Sequence, residues 1–365
     1  MHQNTSAALI ALAGSAAFGL SLVLPRLVAR LESRRRPSAP GVGDVDRSAS
    51  LDVIIPSYLE AGVIGQKIAD LRGDLRDWPG VARIVVVASD DQTADAAREA
   101  DLVIHASREG KAAACNLGVA KSTADIVVLT DANCRIEPPS WPSRLAKHLQ
   151  DWSLVSANKT EAGGSEGAFW ALERATKASL ATGTLSVAGE FLAFRRGDYR
   201  PIPKSTVLDD LSIALSFASR GLPVTVAPDL TTTEDAVTGR EQWERRVRIA
   251  GGLFTEFVPR VPELMTTPNG RIFVAHKLYR VTVGCVGFWV FVTAASFVLP
   301  PWSFLVALAA AYLSVSYHIP AVAPPVLAPL VTAVGLQTVA PAALFRQLRQ
   351  SGPKEGTGLW KKIPR

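Results

Sequence analysis

Four short stretches of the chain carry residue types that do chemistry on phosphates and hydroxyls. Asp131-Ala132-Asn133 closes the apolar run D-I-V-V-L-T and sets a carboxylate and an amide two residues apart. Oxygen donors of this kind hold a hard cation such as Mg2+, which keeps several waters and bridges phosphates. The same residues also make an ordinary loop ahead of a helix. Glu109-Gly110-Lys111 offers a lysine at a helix start, where an anion is favoured; a solvated surface lysine is the plain alternative. It is not a P-loop, because His105 stands where the first glycine is needed and Ala112 where Ser or Thr is needed. Leu208-Asp209-Asp210-Leu211 sets two carboxylates at a helix start. One of them within reach of a hydroxyl is a general base, and two acids there are also ordinary capping and dipole chemistry. Arg245 and Arg248, in R-R-V-R, are three apart on one helix face. That spacing grips an anion bidentately or lies on lipid headgroups.

The elements that must position these residues follow from the hydropathy pattern. Apolar runs at 51–56, 82–88, 102–105 and 125–130 read as strands, with helices at 61–76, 93–100 and 111–121 between them. Strands that are β-branched runs rather than alternations belong in a sheet covered on both faces. The β-α-β-α order predicts an α/β fold, a doubly wound and mostly parallel sheet with helices on both faces. Ligands of such sheets bind at the carboxyl ends of strands. Ser57–Glu60, Ser89–Asp91, Ser107–Lys111 and Asp131–Asn133 are therefore the places to look. Farther on, the pattern predicts a helix at 167–181, a strand at 186–194, a helix at 208–219, a strand at 224–227 and a basic helix at 240–257.

The ends of the chain are different. No Asp, Glu, Lys or Arg occurs between Arg280 and Arg346, a run of 65 residues, although 20% of the chain is charged. A membrane helix needs about 20 apolar residues, so the run predicts three apolar helices near 281–299, 302–317 and 322–345. The middle one is short and the last is rich in proline, so one of them is expected to be incomplete, interfacial or re-entrant. Residues 6–25 form another uncharged segment, followed by Arg26, Arg30, Arg34, Arg35 and Arg36. A signal peptide carries its positive charge before the apolar part, so an uncleaved anchor with a cytoplasmic flank is the preferred reading. The divisions are an anchor with its basic flank at 1–36, a linker at 37–50, a cytoplasmic globular domain at 51–258, an interfacial segment at 259–280, a transmembrane region at 281–345 and a basic cytoplasmic tail at 346–365. The location expected is a multi-pass protein of the inner, plasma membrane. The net charge of +6 gathers beside the spans and no basic-aromatic motif accompanies it, which argues against nucleic acid. Cys115, Cys134 and Cys285 have no C-x-x-C spacing and imply neither a disulfide framework nor zinc.

The order of the motifs says more than any one of them. P-S-Y-L-E, S-D-D-Q-T, R-E-G-K-A-A-A-C-N, D-A-N, D-D-L and R-R-V-R-I-A-G-G, followed by apolar spans, resembles the membrane-bound glycosyltransferases of family 2. That group includes cellulose, chitin and hyaluronan synthases, and the likeness covers about residues 51–255. It implies a GT-A-type fold and inverting, metal-dependent transfer of a sugar from a nucleotide-sugar, UDP-linked by analogy, to a lipid or saccharide acceptor. By the same resemblance Pro56, Ser57, Tyr58 and Glu60 border the nucleotide, with Leu59 where the family has Asn. Asp90, beside Asp91, reads the base. Lys111, with Asn116, lies near the base and diphosphate. Asp131 and Asn133 match the D-x-D pair that holds Mg2+ or Mn2+, Asn replacing the second Asp. Gly189 and Glu190, with Asp209 and Ile249, belong to the acceptor region. Asp210 matches the general base. Arg245 and Arg248 match the Q-x-x-R-W segment on the diphosphate, with a second register through Gln242, Arg245 and Arg246. Two other classes share these features: a membrane-anchored binding protein without catalysis, and a nucleotidyltransferase releasing pyrophosphate.

Overall fold

The computed structural model describes residues 2–35, 48–162, 185–235, 239–298, 303–319 and 324–349. The expected helix at 167–181, most of the linker and the tail beyond Arg349 lie outside these residues. The chain divides into two compact units. One is a helical unit formed by the N-terminal helix and the residues from 239 onward. The other is a sheet unit that occupies the middle of the chain.

The chain opens with α1 (His2–Arg35). The sheet unit then runs β1 (Leu51–Ser57), α2 (Ala61–Asp74), β2 (Ala82–Ala88), α3 (Asp91–Ala96), β3 (Leu102–His105), α4 (Lys111–Lys121), β4 (Ile126–Thr130), β5 (Arg135–Glu137), α5 (Trp141–Asp151), β6 (Leu154–Ala162), β7 (Phe191–Arg195), α6 (Asp209–Ala218) and β8 (Val224–Asp235). Its eight strands lie in the order β3-β2-β1-β4-β7-β6-β8-β5. The first four are parallel, as their apolar runs imply. Beyond β4 the expectation of a mostly parallel sheet needs correction. β7 runs antiparallel to both β4 and β6, β5 runs antiparallel to β8, and only β6 and β8 pair parallel. The sheet is mixed. The expected strand at 186–194 is confined to β7, and the expected strand at 224–227 continues to Asp235 through T-T-T-E-D.

The core lies on the β-branched runs. Leu51, Val53, Ile55, Ile84, Val86, Ile126 and Val128 are buried together with Ile64, Ile68 and Leu71 of α2. Each such side chain contributes about 1.5–3 kcal/mol when fully buried. At the starts of the strands, the buried Asp52 carboxylate accepts two N–H bonds from Arg83 at 2.8 and 2.7 Å and one O–H bond from Ser122 at 2.6 Å. This lock fixes β1, β2 and the end of α4, leaving the opposite ends of the strands to carry the polar residues.

The helical unit continues with α7 (Gly239–Gly252), α8 (Val261–Thr266), α9 (Pro268–Phe273), α10 (Cys285–Val298), α11 (Ser303–His318) and α12 (Ala328–Arg349). Two helical stretches, Thr5–Glu32 and Pro268–Val298, are long and apolar enough to cross a membrane, and Leu305–His318 is a shorter apolar helix. The second stretch begins well before the uncharged run, so residues 268–280 belong to a continuous helix. α1 and α10 approach with bare backbone. A Cβ on Gly14 would lie 2.7 Å from the Gly287 carbonyl oxygen, and one on Gly287 would lie 2.8 Å from the Ala17 Cβ. The contact tolerates only glycine at both positions. Arg271 donates twice to the buried Glu32 at 2.7 and 2.8 Å. α7 packs Val247 and Ala250 against Val339 and Ala343 of α12. Glu244 and Arg346 form a paired two-bond contact beside them, at 2.6 and 2.9 Å.

Candidate active site

The carboxyl ends of β1, β2 and β4 carry the first group of expected residues. Asp90 follows β2 and caps α3, accepting the Thr93 N–H at 2.9 Å. Its other oxygen accepts the Leu59 N–H at 2.7 Å. Leu59 sits at φ +54°, the left-handed region that costs a branched residue about 1–2 kcal/mol and that Asn adopts readily. The Asn missing from the resemblance therefore falls where the backbone would suit it best, and the Asp90 bond holds the turn instead. The Glu60 N–H is accepted by the Thr93 hydroxyl at 2.9 Å. Pro56–Glu60 and Asp90–Thr93 thus form one ledge. The Tyr58 ring on that ledge is covered by the Arg108 guanidinium, 4.4 Å from its centroid; Arg108 lies in the Ser107–Lys111 stretch, where the motifs assign it no role.

Lys111 begins α4 after Gly110, whose φ of +96° only glycine adopts without strain. Its ammonium lies 2.6 Å from Asp131 and 3.6 Å from Asp209. Two acids, 20 and 98 positions beyond Lys111 in sequence, thus share its one cation. Burial works against that charge, but Asp131 and Asp209 hold the lysine well above its ordinary pKa. Lys111 is therefore a fixed positive charge between the strand end of β4 and the start of α6. Asn116 is used otherwise: its side chain accepts the Tyr199 hydroxyl at 2.7 Å and donates to the Ile202 carbonyl at 2.8 Å, tying α4 to residues 199–202.

Asp210 stands beside Asp209 at the start of α6. Burial first, and the neighbouring Asp209 carboxylate second, push its carboxyl up to about 7. Gly189 is its floor: a Cβ there would lie 3.2 Å from the Asp210 Cβ and 3.5 Å from its Oδ2. Gly189→Ala should move the Asp210 carboxylate by a few tenths of an ångström. We expect kcat to fall roughly tenfold while the melting temperature stays near that of the unmodified protein; parallel kinetics and thermal melts check this.

The loop that carries Asp131 and Asn133 is held from behind by buried polar groups. Lys67 of α2 donates to Thr130 Oγ1 at 3.1 Å and to the Cys134 carbonyl at 2.7 Å. Thr130 in turn donates to the Glu190 carbonyl at 2.7 Å. Glu190 and Glu234 both pair with Lys159 of β6, and all three side chains are buried. Lys67 and Lys159 escaped sequence reasoning. A lysine inside a run otherwise reading L-V-S-A-N was the available signal for the second.

The donor set of this loop suits a divalent cation. Among the described residues no three His, Cys, Asp or Glu side chains gather into a closed metal cage. Asp131 and Asn133 supply one carboxylate and one amide, and Mg2+-like ions commonly take one or two protein oxygens, with substrate phosphates and water for the rest.

Residues 52–203 match the family model described as glycosyl transferase family 2. Over that stretch the chain resembles the glycosyltransferases of that family. The expected site residues from Pro56 to Glu190 fall inside the match; Asp209 and Asp210 follow it. No curated protein matches the sequence. Among solved structures, the mannosyltransferase PcManGT from Pyrobaculum calidifontis, in complex with GDP-Man and Mn2+, is 22% identical with a TM-score of 0.68, over 94% of this chain and 99% of that one. The glycosyltransferase therefore shares its fold across nearly its whole length. Mannosyl-3-phosphoglycerate synthase from Rubrobacter xylanophilus is 18% identical, with a TM-score of 0.41 over 65% of this chain and 79% of that one. Residues 1–349 of S. aureus TarS are 11% identical, with a TM-score of 0.42 over 83% and 92%. Arg245, Arg248 and Ile249 of the glycosyltransferase lie on α7, in the helical unit.

Proposed function

We propose that the glycosyltransferase moves a sugar from a nucleotide-sugar to a hydroxyl of a lipid or saccharide acceptor, in one inverting displacement. The observation that carries this reading is the meeting of Asp131, Lys111 and Asp209, with Asp210 seated on Gly189 beside them. Asp210 takes the proton of the acceptor hydroxyl as that oxygen attacks the anomeric carbon. The bond from that carbon to the diphosphate oxygen breaks, and its electron pair leaves with the nucleoside diphosphate. Lys111 supplies positive charge on the diphosphate side, and the R-x-x-R spacing of Arg245 and Arg248 suits the same task. Mg2+ or Mn2+, held through Asp131 and Asn133, would neutralise the leaving diphosphate. Pro56, Ser57, Tyr58, Glu60 and Asp90 border the nucleoside. The resemblance in the motifs favours inversion over retention.

Donor choice has two candidates. The resemblance in the motifs favours a UDP-sugar; the fold shared with a mannosyltransferase solved with GDP-Man favours a GDP-sugar. A screen of UDP- and GDP-sugars with Mg2+ or Mn2+, reading released nucleoside diphosphate, tests the reading. Release of pyrophosphate would mean nucleotidyl transfer, and no turnover of any donor would mean a binding protein. The two long apolar helices support a seat in the inner, plasma membrane with the sheet unit on the cytoplasmic side. Retention of the chain in membranes washed with alkaline carbonate is the expected result.

The raised Asp210 carboxyl sets a pH dependence. A base works only when deprotonated, so kcat/KM should be full above about pH 7 and should fall as pH drops through that value. A pH–rate profile that stays flat down to pH 5 would remove Asp210 from the role.

A further inference from the structure

The residue at 133 and the buried cluster behind it are matched to each other. Glu234, at the end of β8, is buried and uses its two oxygens differently. Oε1 accepts from the Lys159 ammonium, which also pairs with Glu190. Oε2 faces Asn133, whose Nδ2 donates to it over 3.4 Å. An ionised carboxylate only accepts hydrogen bonds, so the nitrogen end of the amide is the end that must face Glu234. The amide oxygen then points away from the cluster. An aspartate at 133 would set two carboxylates about as close as this long hydrogen bond, in a place where Lys159 already serves two acids.

We propose that Glu234, clamped by Lys159, is a positioning residue that fixes the Asn133 amide with its oxygen turned outward as a cation ligand. The negative charge that an aspartate would have carried at 133 stands one residue further back. Through the N–H bond it polarises the amide and makes its oxygen a stronger donor, as carboxylates behind metal-bound histidines do. Asn, unlike Asp, can both donate to Glu234 and offer an oxygen in the other direction. This inference rests on the proposed cation role of Asp131 and Asn133.

The test uses the full-length chain and reads free Mn2+ by electron paramagnetic resonance, with GDP and, separately, UDP present at a fixed concentration. In Glu234→Gln, the new amide satisfies Lys159 with its oxygen and turns its N–H groups toward Asn133. Asn133 must then flip, and Mn2+ affinity should fall about tenfold. Adding Asn133→Asp to that variant should restore affinity, since the carboxylate introduced at 133 accepts from the carboxamide introduced at 234 and still offers a second oxygen. Asn133→Asp alone should lower the metal-free melting temperature, and the double variant should recover it, a coupling that independent sites do not show. Mn2+ affinity within twofold of the unmodified chain in Glu234→Gln, with Asn133→Asp equally tolerated in both backgrounds, would overturn the inference. Asp131→Asn separates the two levels. If it keeps Mn2+ affinity, the cation site itself is wrong and the inference falls with it. If it loses affinity while Glu234→Gln does not, only the role of Glu234 is wrong.

Discussion

Asp210→Asn is expected to lower the transfer rate by 10²–10⁴-fold, roughly the range a positioned general base contributes, while donor affinity stays nearly unchanged. The asymmetry follows from which substrate the residue serves. Asp210 acts on the acceptor hydroxyl, and the Asp131–Lys111–Asp209 contacts do not run through its carboxylate. The amide is close in size to the carboxylate, so the carboxamide keeps the place above Gly189. Titration of nucleotide into the variant, beside a rate measurement, checks both halves. Turnover equal to that of the unmodified enzyme would transfer the base role elsewhere.

The second large effect belongs to Asp131. Asp131→Asn removes the carboxylate nearest the proposed cation and loosens Lys111, which keeps only Asp209, at 3.6 Å. Charge stabilisation by a metal at a leaving diphosphate is worth several kcal/mol, so at least about a hundredfold loss in kcat/KM is expected, with weaker donor binding. Excess chelator should produce the same loss in the unmodified enzyme, and added Mn2+ should reverse it. Full activity in chelator would end the cation reading.

The half of the sheet that could be read from sequence is the half made of uninterrupted apolar runs. V-I-I in β1, I-V-V-V in β2 and I-V-V-L in β4 have no competing interpretation once turn residues bound them. β6 and β8 resisted because their second halves, N-K-T-E-A and T-T-T-E-D, are polar where they pair with each other. Strand halves whose buried members are Lys159 in β6 and Thr232 and Glu234 in β8 leave no apolar trace, so nothing in the hydropathy marks β6 or the continuation of β8 past Ala227. In the site, residues at strand ends and helix starts were visible by type: Asp131, Lys111, Asp209 and Asp210. What type and spacing cannot express is which acid faces which base. That Lys111 serves both Asp131 and Asp209 depends on β4 and α6 meeting at one end of the sheet. That Asp90 is spent on the Leu59 turn depends on a backbone angle.

The glycine contact between α1 and α10 has a consequence for how the protein is made. Gly287 leaves the ribosome 273 residues after Gly14. At 5–20 residues per second, α1 waits on the order of 15–55 s for the surface that its bare backbone fits. During that interval the whole sheet unit is synthesised, and its core of β1, β2 and β4 packs on α2, which is made with it. Glu32 waits almost as long for Arg271. α1 is thus made well before the neighbour that its bare backbone fits. A stop codon between the end of β8 and the α10 sequence would yield a chain that has β1 to β8 but no Gly287 for α1 to meet.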